Sequence, residues 1–200
     1  EGFMHPARDR GSMRTLLDIP LTAPVVGTVT RLSAQKAPTD FAAAAIEIAQ
    51  SAPDTHFVIV GDGPLRGEVE GMIAQADLQK RFHLTGLRRD VADLLTTFDI
   101  FVLSSLWEGL PRVLPQAMAA GLPIIASAVD GNVEAVRANE NGILVPPGDR
   151  AALALAMLQL LQDRRRATEM GQAGRARVQE FSAQKMVEDH EQLYHELRPR

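Results

Sequence analysis

The chain has 200 residues, 46% of them hydrophobic, with 21 Lys and Arg against 25 Asp and Glu and no cysteine. That is one generous domain or two small ones, with enough apolar mass for a core without covalent staples. Disulfides, thiolate metal sites and nucleophilic cysteine chemistry are excluded, and a net charge of −4 with interspersed signs argues against a general nucleic-acid binder.

Residues 1–22 hold no strand and one candidate helix, about 8–17. Then six short apolar runs read as strands: PVVGTV (24–29), HFVIV (56–60), RFHLT (81–85), DIFVLS (99–104), PIIAS (123–127) and GILVP (142–146). Most are nearly continuous in apolar residues, as strands covered on both faces are. Helical segments alternate with them. The first, 39–51, has Thr39 or Asp40 as its cap. The second, 64–76, opens on Pro64, suited to a first turn. Segments 90–98, 111–121 and 131–137 are short, and Gly121 is a good terminator. Segment 149–162 is the strongest helical pattern. Residues 163–181 are helical and charged, and a last helix runs from Ser182 to Leu197 with Met186, Leu193, Tyr194 and Leu197 as an apolar stripe. Alternation of strand and helix predicts an α/β fold, a doubly wound, Rossmann-like parallel sheet of about six strands followed by C-terminal helices. No apolar run approaches the roughly 20 residues of a membrane span, and there is no N-terminal signal pattern. The first residue is Glu1, not Met, which raises the expectation of a longer polypeptide.

Open sheets of this kind bind ligands beyond the C-terminal ends of their strands. Four stretches fall on that rim: TRLSAQK with Arg31 and Lys36, GDGP (61–64), GLRRD (86–90) and SSLWEGLPR (104–112). Two cations, glycine turns, and an acid placed just before a helix start suit a phosphorylated ligand with hydroxyls. Unpaired N–H groups and cations take phosphate, and Glu108 accepts from hydroxyls. Gly109 would let backbone approach the ligand. Taken singly, these features read more plainly: Arg31 and Lys36 as solvated loop cations, GDGPLRG as a strand-to-helix turn whose third Gly misses the dinucleotide fingerprint, Trp107 as a packing anchor, and Arg164–Arg166 as a solvated face. The two His of HEQLYH (190–195) are five apart and do not share a helix face, so a zinc reading is rejected.

Together, SSLWEGLPRVLPQAMAAGLPIIASAVDGNVEAV, GTVTRLSAQK, VIVGDGPLR and NGILVPPGD resemble landmarks of family 4 retaining glycosyltransferases, over residues 23–195. The part they resemble is the C-terminal, donor-binding domain of the GT-B fold. The resemblance implies that Arg31 and Lys36 hold the donor diphosphate and that Glu108, as the catalytic carboxylate, meets the donor sugar. It places the amides of Gly109, Leu110, Arg112 and Val113 toward sugar and phosphate, and the backbone near Leu87 and Arg88 beside the base. The family's second Glu, which binds ribose, is Gln116 here; Thr30 stands where Gly is usual. Gln keeps an acceptor oxygen, loses the charge and adds a donor.

On this reading residues 1–22 are an interdomain linker, 23–162 a nucleotide-sugar-binding domain, and 163–200 C-terminal helices, the last crossing toward an N-terminal domain that supplies the acceptor site. A nucleoside diphosphate sugar is the expected partner, transferring a hexose to an acceptor glycan or lipid, with no metal and no cofactor. A cytoplasmic location is expected, with peripheral association of the full-length protein at the inner membrane face left open. Two rivals fit many of the same residues. One is a degenerate domain without turnover, whose sequence support is Gln116. The other is a GT-B nucleotide-sugar epimerase, which the early Arg and Lys fit less well.

Overall fold

The computed structural model describes residues 3–197; the outer ends of the expected linker and C-terminal segment, 1–2 and 198–200, lie outside them. Six strands alternate with helices as the apolar runs predict: β1 (Val25–Val29), β2 (His56–Val60), β3 (Phe82–Gly86), β4 (Ile100–Leu103), β5 (Ile124–Ser127) and β6 (Gly142–Val145). All pair in parallel, in the order β3-β2-β1-β4-β5-β6. Successive side chains of a strand point to opposite faces, so a continuous apolar run feeds two cores. Val26, Phe57, Ile59, Ile100, Val102 and Ile125 pack on one side. Val25, Val58, Val60, Phe101, Leu103 and Ile124 pack on the other.

Helices α2 (Pro38–Ile48), α3 (Arg66–Gln75) and α7 (Arg150–Gln162) cover the first face. Helices α1 (Arg10–Leu16), α4 (Val91–Leu95), α5 (Val113–Ala119) and the short α6 (Asp130–Ala135) serve the second. Helix α8 (Arg164–Arg177) packs on α7 and on α5, and α9 (Ala183–Glu196) follows. Side-chain caps hold α7 and α9: Asp149 accepts from the amide of Ala152, and Ser182 from that of Lys185.

Two details of the sequence reading are corrected. Helix α2 begins at Pro38, after Ala37 in left-handed conformation (φ 43°), so neither Thr39 nor Asp40 caps it. Asp40 is instead buried and accepts from Arg150 at 2.6 Å, tying α2 to α7. Helix α3 begins at Arg66, leaving Pro64 in the preceding turn. Residues 7–22, expected as an interdomain linker with a helix at about 8–17, carry α1 and are fastened to the body. Arg14, fully buried, donates to the carbonyls of Thr97 and Ala23 and to Asp99 Oδ2 at 2.9 Å. A guanidinium is tolerated in such a place because its N–H fork is satisfied by carbonyls and one carboxylate.

Candidate functional site: the rim between the first and fourth strands

Strands β1 and β4 are neighbours, yet the chain leaves them toward opposite faces, into α2 and α5. Divergence of this kind opens a crevice at the C-terminal ends of the strands. The connections 30–37 and 104–112 meet across it, and several bonds stitch them together. The Ser104 hydroxyl reaches the carbonyls of Lys36 and Ala37, at 3.2 and 3.0 Å. The amide of Leu106 donates to Gln35 O at 2.8 Å, and Gln35 Nε2 donates to Trp107 O at 3.0 Å. The Lys36 ammonium meets Glu108 Oε1 at 2.5 Å. Ser105, fully buried, donates to the same oxygen at 2.6 Å. The Glu108 side chain is only 5% exposed, and burying an ionised carboxylate is costly unless it is paired and hydrogen-bonded, as here. Lys36 and Glu108, read separately in the sequence as phosphate and sugar ligands, therefore touch.

Beside this pair the rim is rich in unused donors. Arg31 is exposed and makes no ion pair with any described residue. Among the described residues, no protein acceptor takes the backbone N–H of Gly109, Leu110, Arg112 or Val113; Pro111 has none to give. A Cβ at Gly109 would meet nothing within 4 Å, so this backbone borders open space. The Arg31 loop rests on the GDG turn: Gly61 has φ +137°, and a Cβ there would lie 1.8 Å from Thr30 O. The turn that alone reads as an ordinary connection thus sets where the cation stands.

A cleft of about 610 Å³ continues from Arg31 past Gly61 to Leu87, Arg88 and Val91. Leu87 is 85% exposed at its edge. The Arg88 guanidinium is engaged by Asp90 through two bonds of 2.8 and 2.6 Å and holds that carboxyl below its usual range. What Arg88 offers the cleft is therefore backbone and aliphatic stem.

Gln116 is half-buried one turn into α5, and it borders a different cleft, of about 560 Å³, with Phe3, Met4, Phe181 and Gln184. It is not among the residues lining the Leu87 cleft. Trp107, expected as a packing anchor, is 54% exposed, with its carbonyl rather than its ring fixed by Gln35. One supporting residue was missed. Gly131 lies so close under the 108–112 loop that a Cβ would sit 1.7 Å from Gly109 O. In the sequence its only signal was a Gly near the start of a two-turn helix.

Other polar groups lie elsewhere. His56 and His83, on neighbouring strands, face each other with Nδ1 and Nε2 2.9 Å apart. His56 begins β2, so the pair lies toward the opposite end of the sheet. Among the described residues no three His, Asp or Glu side chains gather as metal ligands, and no helix is long and apolar enough to cross a membrane.

Fold and rim together define a doubly wound domain whose switch point gathers cations, one buried carboxylate and backbone amides. The chain belongs to the glycosyl transferases group 1 family, whose model matches residues 9–177. It is 36% identical over 163 residues to the UDP-Gal:alpha-D-GlcNAc-diphosphoundecaprenol alpha-1,3-galactosyltransferase of Escherichia coli, covering 80% of this chain and 42% of that protein. The HepE protein of Anabaena, solved in complex with UDP-glucose, superposes with a TM-score of 0.86 at 25% identity, over 97% of this chain and 55% of that one. The C-terminal domain of the group 1 protein LpcC from Francisella tularensis, solved alone, gives 0.81 at 25% identity, over 90% and 97%. The chain thus spans less than half the length of the curated relative and almost all of an isolated C-terminal domain.

Proposed function

We propose that the chain is the donor-binding half of a metal-independent retaining glycosyltransferase, which moves a hexose from a nucleoside diphosphate to an acceptor hydroxyl seated on an N-terminal domain. The observation that carries this reading is the Lys36–Glu108 pair, flanked by Arg31 and four unpaired amides on one rim. An ammonium has three N–H donors, so Lys36 can keep Glu108 and still donate to a phosphate. Arg31 adds a fork that suits phosphate oxygens. As the sugar leaves, negative charge grows on the diphosphate, and preorganised cations and amides stabilise that charge without reorganising. Glu108 accepts from sugar hydroxyls and orients the ring. The Leu87 cleft takes the base against apolar surface and backbone. Gln116, on the first turn of α5 after the amides of Arg112 and Val113, serves the ribose hydroxyls in this reading.

The relatives support a nucleotide-sugar donor without identifying this chain's sugar. The test is donor turnover with and without a panel of acceptor sugars, for this chain and for the full-length protein. The full-length protein should form acceptor-dependent product. The chain alone should bind the donor and at most hydrolyse it slowly, because transfer needs both reactants held in near-attack geometry. Acceptor-dependent product from the chain alone, at the full-length rate, would overturn the placement of the acceptor site.

A further inference from the structure

The Glu108 carboxylate is asymmetric. Oε1 takes both protein donors, the Lys36 ammonium at 2.5 Å and the Ser105 hydroxyl at 2.6 Å. Oε2 has no partner among the described residues, yet it is not one of the buried unsatisfied atoms, which among the described residues are limited to Asn132 Oδ1. It is therefore open to the crevice. Ser105 and Ser104 are adjacent but divide the work. Ser104 is bound to the Lys36 backbone, and Ser105, with no exposed surface, has its hydroxyl on Glu108.

We infer that Ser105 is a positioning residue that, with Lys36, locks Oε1 and presents Oε2 to the donor sugar. This rests on the donor-binding reading above. A carboxylate on a Glu side chain has a broad terminal torsion. One donor on one oxygen leaves it free to rotate about that contact; two donors on the same oxygen, from different loops, fix the plane. Ser105 lies three residues before Glu108 on one loop, while Lys36 comes from the other side of the switch point. The cation is also shared with the diphosphate in the proposed function. Ser105 is then the one holder of the carboxylate whose grip does not change when the diphosphate leaves.

The inference separates sugar handling from nucleotide handling, and that difference is its test. Ser105→Ala and Ser105→Thr are made in the full-length protein. UDP affinity is measured by calorimetry. Turnover is measured with UDP-glucose, UDP-galactose and UDP-N-acetylglucosamine, continuing with whichever the wild type uses fastest. Ser105→Ala should leave UDP affinity within about twofold and lower kcat by roughly 10- to 100-fold, the scale of a lost hydrogen bond to a charged group. Ser105→Thr, which keeps a hydroxyl, should recover most of the kcat. Wild-type kcat in Ser105→Ala would overturn the inference, as would equal loss of UDP affinity and kcat that Thr does not rescue, since that marks a packing defect. A wild-type protein that binds none of UDP, GDP and ADP would overturn the donor-binding reading itself.

Discussion

Arg31 and Lys36 are the residues on which the phosphate assignment stands, and each makes a different demand. Arg31 has no ion-pair partner among the described residues, so Arg31→Ala should weaken nucleoside diphosphate binding by about 10-fold or more while leaving the plain nucleoside unchanged. Lys36→Ala should do the same and also lower the melting temperature, because it leaves the buried Glu108 without its cation. Calorimetry with UDP and uridine checks both; equal losses for the two ligands would point to misfolding instead. Gly131→Ala is expected to disturb the same site from below, since its methyl would collide with Gly109 O. Loss of UDP binding without a change in overall secondary structure is the expected result, and unaltered binding would show that the loop shifts freely. The placement of Arg31, Lys36 and Glu108 on one rim was legible in the sequence because charge beyond a predicted strand end is visible in one dimension. Their direct contact was not, because residues 36 and 108 meet only once β1 and β4 pair. Gly131 was hidden for a related reason: only a fold shows what backbone passes over it.

At the scale of elements, all six strands were legible from their apolar runs, most plainly β1, β2, β4 and β5, which are buried nearly throughout, while the edge strands β3 and β6 are only partly buried. Helix starts were less so. The left-handed turn at Ala37 and the late start at Arg66 depend on how loops cross, not on cap chemistry. The His pair on β2 and β3 likewise appears only through strand register, which sets His83 opposite Val58 and brings its ring against His56. Burial, and then the neighbouring His56, lower the pKa of His83 to about 4; burial, and then Arg81, lower that of His56, with Asp18 opposing both. The ordinary value in the unfolded chain is about 6.5. Between those limits the unfolded chain binds more protons than the folded one, so the pair's contribution is complete above pH 6.5 and is lost as pH falls toward 4. Melting temperature should therefore drop over that window, and His83→Gln should flatten the drop. An unchanged slope in the variant would remove the pair from the account.

Helix α9 is a different case. Its apolar side chains, Met186, Val187, Leu193, Tyr194 and Leu197, are all half or more exposed. The stripe that was read from the sequence is left exposed by the described residues. Regions with few buried contacts open at low free energy. Its amides should exchange with deuterium well before those of β1 and β4, and protection equal to that of the sheet would contradict this. In the full-length protein the same amides should slow, if the helix packs on the N-terminal domain as proposed.

The described residues form a sheet with helices on both faces and a rim of cations and backbone amides. Apolar runs, helix alternation and charge at strand ends were enough to foresee that shape. The order of strands, and hence the switch point, required the fold. The central claim is that this edge holds a nucleoside diphosphate through protein cations and amides alone. It is tested most directly by thermal unfolding of this chain in a metal chelator, with and without UDP, GDP or ADP. A ligand at about 100 times its dissociation constant adds about 2.7 kcal/mol to stability. At least one of the three should raise the melting temperature by several degrees in the chelator, with Arg31→Ala and Lys36→Ala each cutting the rise by about half or more. A rise that appears only when magnesium or manganese is restored, or no rise with any of them, would contradict the account.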